Sequence, residues 1–392
     1  MCVLAAAQTP AEPAPASGAG GKSAPGGGVQ TWVCAAGSYY SGSNWTSCYW
    51  INEVKTDLPV PSGAMGTASV VAVSGTRVYI AGQYERRGNW TPCYWLDGTR
   101  TDLALPGGAS GYANAAVVAG TRLYIAGQYE SQGGDTPCYW VDGARTDLPL
   151  PGGASGFVYA AAVSGSRVYI AGSYESGGNS TPCYWVNGTR TDLPLPSGAS
   201  GFANAAAVSG SRVYIAGSYD SGGGDTPCYW LDGARTDLPV PGGAPGFANA
   251  AAVSGSRVYI AGSYESGGGD TPCYWVNGTR TDLPLPGGAS GFAYAAAVAG
   301  SRVCIAGSYD SGGGDTPCYW VDGARTDLAI PDGTSGLAYA AVAADTRVYI
   351  AGWYESGDDS TPCYWADGAR TDLLIPGGAM GMATGIAVII ER

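Results

Sequence analysis

Eight cysteines, Cys48, Cys93, Cys138, Cys183, Cys228, Cys273, Cys318 and Cys363, recur at a uniform spacing of 45 residues. A thiol can ligate a metal, pair in a disulfide or act as a nucleophile. Equivalent residues of separate repeats stand too far apart to bridge one another, so the set reads as buried, apolar filler. Two further cysteines, Cys34 and Cys304, replace a tyrosine found in the other copies, and each precedes the repeated cysteine of its own copy by fourteen residues. That shared register admits two cross-strand disulfides, Cys34 to Cys48 and Cys304 to Cys318.

Carboxylates recur as well, at Glu85, Glu130, Glu175, Asp220, Glu265, Asp310 and Glu355. The S-Y-D-S-G around Asp220 and Asp310 resembles the start of a sialidase Asp-box and lacks its Thr-Trp end. No two of these carboxylates differ enough in context to serve as acid and nucleophile, so they read as a solvated hairpin edge. Arg145 and Asp147 of R-T-D-L, two apart on one strand face and repeated in nearly every copy, read as ion pairs between units. The chain has no histidine, which excludes imidazole catalysis and His-ligated metal sites. Neither a metal nor a cofactor is expected. A formal charge of -12 leaves no basic stripe, so neither nucleic acid nor an anionic membrane surface is an expected partner.

The elements that position these residues follow from the repeat. A period of 45 residues suits a four-stranded propeller blade. Each copy reads as four strands, A to D, as in G-F-A-N-A-A-A-V, R-V-Y-I-A-G-S-Y, T-P-C-Y-W-V and A-R-T-D-L. Strands B and C carry the β-branched and aromatic residues of a buried sheet, and Ala-rich strand A suits a crowded inner position. Asp142-Gly143, Asn187-Gly188 and their equivalents mark two-residue type I′ turns between C and D. Pro and Gly then end strand D and lead to the next copy.

The two chain ends each supply part of a blade. Residues 31–40 match strand B and residues 381–390 match strand A, so eight complete blades form only if the last strand joins the first blade. The expectation is an all-β fold, an eight-bladed propeller over residues 30–392 closed by its C-terminal strand, which leaves no exposed sheet edge at the seam. Alternation of strands places the B–C and D–A loops on one face and the tight A–B and C–D turns on the other. The long-loop face is the expected binding surface.

Binding residues are expected where uniform copies differ. One strand-A position reads Ser69, Asn114, Tyr159, Asn204, Asn249, Tyr294, Tyr339 and Thr384, and is expected to ring the channel mouth. Closure also brings Trp45, Arg86, Arg87 and Trp90 of the first two blades beside Trp353, Asp358 and Asp359 of the last. Such a group suits stacking on a sugar or anchoring a protein.

The motifs Tyr139-Trp140, Thr146-Asp147-Leu148, Gly152-Gly153, Ser155 and Val168-Tyr169-Ile170-Ala171-Gly172 resemble the extracellular HAF-type repeat family, with Thr-Pro-Cys in place of its His-Ala-Phe. The chain also resembles exported bacterial propeller repeat proteins. The resemblance implies an exported propeller and supplies no catalytic residue. Residues 1–29 form a Pro/Ala/Gly-rich leader or tether, with Cys2 placed to take a lipid, and no run of apolar residues is long enough to span a membrane as a helix. The expected role is a secreted or surface-anchored, non-catalytic module that binds a glycan or a protein. The alternatives are a glycoside hydrolase or lyase on the same scaffold, and a structural repeat for surface display.

Overall fold

The computed structural model describes residues 30–391 apart from 132, 311 and 358. It contains eight four-stranded antiparallel sheets, and the Pro/Ala/Gly leader with Cys2 lies outside the described residues. Seven blades are continuous in sequence: blade 2 (65–102), blade 3 (111–147), blade 4 (155–192), blade 5 (200–237), blade 6 (246–282), blade 7 (290–327) and blade 8 (335–372). Blade 1 is composite. Its strands B, C and D are Gln30–Tyr40, Trp45–Ile51 and Val54–Asp57, and its strand A is Met380–Glu391, which pairs antiparallel with Gln30–Tyr40. Each A strand touches the A strand of the next blade, and the strand A of blade 1 touches those of both blade 8 and blade 2. The A strands therefore form the inner wall of a closed ring, and the short, largely exposed D strands form its rim.

The C–D turns show why Asn or Asp precedes Gly there. Asn187 has φ of 48° and Gly188 of 86°, the left-handed pair that a type I′ turn requires. Asn187 also accepts the Val168 N–H through Oδ1 at 3.0 Å, and so caps the start of strand B.

The core lies between blades as eight equivalent slabs, each centred on a buried strand-C tryptophan and cysteine. Every one of these tryptophans reaches back to the preceding blade. Trp185 Nε1 donates to the Pro149 carbonyl, and Trp50 Nε1 makes the same bond across the seam to Leu374, all eight bonds measuring 2.9–3.2 Å. The leucine of T-D-L enters the same slab, as Leu148 does beside Trp185.

The R-T-D ion pair lies within one strand and not between blades, because residues two apart on a strand share a face at short range. Arg145 Nε is 2.8 Å from Asp147, the guanidinium lies over the Tyr129 ring, and the Tyr129 hydroxyl donates to Asp147. What crosses to the previous blade is the other end of the guanidinium. In six blades, as with Arg190 and Pro149, Nη1 shares the carbonyl that accepts the tryptophan N–H.

Replacing Trp185 separates its two roles. Trp185→Phe is expected to lose the donor and cost about 0.5–1.5 kcal/mol, and Trp185→Ala to cost about 3–5 kcal/mol through the cavity. Urea unfolding midpoints measure both; an unchanged midpoint in Trp185→Phe would show that the hydrogen bond contributes nothing.

Candidate functional site

In strand A of every blade the pairing with strand B slips by one residue. The extra residue is the variable polar one in all eight blades: Ser69, Asn114, Tyr159, Asn204, Asn249, Tyr294, Tyr339 and Thr384. A bulge unpairs a residue and re-aims its side chain. It also accounts for the glycine of strand B, since a Cβ on Gly172 would overlap the Phe157 carbonyl. The bulges fall halfway along strand A, so the half-buried ring they form sits inside the channel, deeper than the mouth expected for it.

These side chains tie inner strands together. Asn204 and Asn249 donate to the Ala248 and Ala293 carbonyls of the following blades at 3.2 and 3.1 Å, as Asn114 does to Val158 and Thr384 to Ala68. In blades 4 and 7 a tyrosine stands instead and meets a strand-B serine: Tyr159 with Ser173, and Tyr294 with Ser308. Tyr294 stacks on both Phe292 and Tyr339, with ring centroids 6.1 and 6.0 Å apart.

The two faces are distinct. On one, A–B turns of neighbouring blades are hydrogen-bonded to each other at four joints, as Ser164 Oγ to the Gly210 carbonyl, and the C–D turns stand beside them. On the other, five B–C hairpins are bonded to a serine where the next blade's strand A begins, as the Asp135 N–H is to Ser155 Oγ at 2.9 Å.

Closure makes blades 8, 1 and 2 consecutive, but their three variable tryptophans are not in ring contact with one another. Trp45 packs on its cross-strand partner Tyr40, and Trp90 on Tyr112 of blade 3, with its backbone N–H donating to Ser110 Oγ. Trp353 is half-buried between Leu337 and Pro362, its indole N–H enclosed without a partner. Arg86 and Arg87 are exposed at the hairpin tip, and Asp359 is exposed across from Ser356. Asp358 lies outside the described residues.

The residues that sequence reasoning passed over are Phe202, Phe247 and Phe292, which are 38%, 38% and 36% exposed in the innermost strands of blades 5 to 7. In an alternating strand they read as core. Their signal was a large residue two places before the variable position, in an otherwise Ala-rich strand.

The disulfide expectation is corrected. Cys34 and Cys48 are free, as are Cys304 and Cys318. Pairing sets Cys34 opposite Ile51 and Cys48 opposite Gly37, with the same offset at Cys304 and Cys318. The three-residue offset puts the two thiols on opposite faces of the sheet, in different inter-blade slabs. Burial pushes the Cys34 thiol up to about 12 and raises the others too.

Carboxylates gather on the long-loop face as cross-strand pairs: Glu130 with Asp135, Asp220 with Asp225, Glu265 with Asp270, and Asp310 with Asp315. In each pair burial, followed by its neighbour's charge, raises the pKa of the strand-C aspartate; Glu175 and Glu355 of the next blades add to this at Asp135 and Asp315. Asp310 moves the other way, because the N–H groups of Gly312 and Gly314 bind its carboxylate. Asp220 clamps its own loop similarly, so the Asp-box-like motif is a loop clamp.

No family model and no curated protein matches the chain. Among solved structures it is similar to puromycin hydrolase, at 13% identity over 79% of this chain and 55% of that one, with a TM-score of 0.46. It is also similar to the GH74 enzyme of Niastella koreensis, at 14% over 88% and 74% with a TM-score of 0.38. A protein from Lactobacillus plantarum matches at 14% over 92% and 100%, with a TM-score of 0.41. The chain spans little more than half the length of the puromycin hydrolases. At these identities and scores no residue role carries over.

Two outcomes follow from the titrating groups. The described cysteines are expected to resist iodoacetamide in the native chain and to react fully in urea without reductant, read by intact mass; native labelling at Cys34 would contradict their burial. Asp225 and Asp270 hold a proton more tightly folded than unfolded, so ionised they oppose folding, and that opposition fades as pH falls through the folded pKa. Asp270→Asn should therefore raise the urea midpoint at pH 7, with the gain shrinking toward pH 4; a constant gain would assign it to something other than charge.

Proposed function

We propose that this chain is an exported, non-catalytic binding module that engages a glycan or a protein through its long-loop face. The observation that carries this reading is the exposure of Phe202, Phe247 and Phe292 at the inner edge of that face, where copies otherwise nearly uniform also differ. Exposed aromatic rings beside hydrogen-bonding groups supply contact area and orientation to a ligand. The tight-turn face offers two-residue turns, bonded to one another at four joints.

The repeated carboxylate pairs argue against hydrolysis. A glycosidase separates its acid from its nucleophile by giving them unlike environments. Here the strand-C aspartate is raised, chiefly by burial, in all four pairs, and where its partner moves apart from it, at Asp310, that carboxylate is already held by the N–H groups of Gly312 and Gly314 in its own loop. Export is supported by the HAF-type resemblance and by the composition of residues 1–29, in which Cys2 would carry a lipid.

Glycan and peptide arrays probed with the full chain test the reading. Retention on at least one array is expected, reduced in Phe247→Ser and in the Trp45→Ala/Trp90→Ala double variant if both ends of the face contribute. Absence of retention on either array, or retention unchanged by all of these substitutions, would sink it.

A further inference from the structure

The fold sorts the charge of this chain. Among the described residues the long-loop face carries thirteen carboxylates against two arginines, Arg86 and Arg87. The tight-turn face carries seven arginines against eight carboxylates, and on the D strands each cation has its aspartate. Nearly all the net negative charge thus belongs to one face. Strand A of Ser155–Ser164 spans about 30 Å at about 3.3 Å per residue. That exceeds the Debye length of about 8 Å at physiological salt severalfold, so the tight-turn arginines do not offset the acidic field.

The same register recurs in blades 5, 6 and 7. In blade 6, Phe247 stands opposite Ser263, Glu265 follows Ser263 by two residues, and Asp270 stands opposite Glu265. Period-two alternation puts all four on one side of the sheet. Phe202, Ser218, Asp220 and Asp225 repeat this in blade 5, as do Phe292, Ser308, Asp310 and Asp315 in blade 7. Like charges directly across a sheet oppose folding, and here they lie beside phenylalanines left open to solvent.

Ser263 adds an independent observation. In blades 4 and 7 the equivalent hydroxyl is bonded to the tyrosine of the bulge. In blade 6 the bulge residue is Asn249, which turns to the Ala293 carbonyl, and Ser263 Oγ is left without a partner at 1% exposure. A buried hydroxyl in that state costs about 1–3 kcal/mol until an incoming group satisfies it.

We infer that the long-loop face of blades 5 to 7 receives a basic protein segment, with Lys or Arg stems lying on Phe202, Phe247 and Phe292 and their cationic heads entering the carboxylate pairs. The inference rests on the long-loop face being the binding surface. Phenylalanine presents an apolar ring and a negative π face with no polar handle, which suits an alkyl stem ending in a cation. An ammonium also donates in three directions, enough for two carboxylates and the Ser263 hydroxyl. The wider acidic field would draw such a segment in before contact.

Fluorescence anisotropy with labelled octalysine, octaglutamate and a glucosamine hexamer, on the full chain in 50 and 200 mM salt, tests this. Octalysine is expected to bind, octaglutamate not, and binding to weaken at the higher salt. Asp225→Asn/Asp270→Asn/Asp315→Asn and Phe202→Ser/Phe247→Ser/Phe292→Ser should each weaken octalysine by about tenfold or more, given the size of paired-charge and cation–π contacts. Circular dichroism confirms that both variants are folded. Unchanged binding in the Asn variant overturns the inference, and loss only in the Asn variant reduces the effect to diffuse charge and overturns the phenylalanine seat. Preference for the glucosamine hexamer over octalysine makes the ligand an amine-bearing glycan and overturns the protein assignment. A neutral glycan held at this face without octalysine binding overturns this inference and leaves the binding-module reading standing.

Discussion

The bond from each strand-C tryptophan to a carbonyl of the preceding blade is the constraint on which the ring depends. A four-stranded blade has two flanks and cannot bury either alone, so each must find a neighbour. Trp185 fills the slab between blades 4 and 3 with a fully buried indole and, through Nε1, specifies where the previous blade's chain must turn. Arg190 closes on the same carbonyl from outside, and Leu148 packs from within. Because Trp50 makes the same bond to Leu374, the seam between the two chain ends keeps the tryptophan joint of every other blade pair, with Lys55, paired to Asp57, in place of the arginine.

Uniform joints free the other end of the blades to vary. The bulge in strand A is the device that allows it: one extra residue per blade is excluded from the ladder, and its identity does not disturb the pairing on either side. Asn at that position bonds the next inner strand, while Tyr159 and Tyr294 bond their own blade's serine and Tyr294 and Tyr339 stack on each other. In blade 6, where Asn249 turns to the Ala293 carbonyl, the Ser263 hydroxyl is left without a partner. Variation at one position thus changes hydrogen bonding and ring stacking along the channel without touching the tryptophan joints.

The blade count, strand order and composite closure were legible because they depend on local signals: the 45-residue period, Asn-Gly and Asp-Gly turns, and half-blades at the two ends. The disulfide expectation went astray because equal spacing of Cys34 and Cys48 does not reveal register, and a three-residue offset across a hairpin puts two thiols on opposite faces. The arginine of R-T-D was read as bridging blades through its partner aspartate, when the bridge runs to a backbone carbonyl that carries no mark in the sequence. The exposed phenylalanines were hidden for a similar reason, since burial of a strand-A residue depends on how closely the next blade approaches.

By itself the sequence determined the repeat, the turn chemistry, the strands that must pair to close the ring, and a total charge of -12. The tertiary structure decided where that charge resides. Alternating strand direction sends every B–C hairpin to one face, so a carboxylate recurring at one place in each copy becomes a concentrated field, while the arginines of the A–B turns are balanced on the opposite face. Net charge is a sum over residues and can be counted along the chain. A field depends on distance, and distances exist only once the blades have closed into a ring.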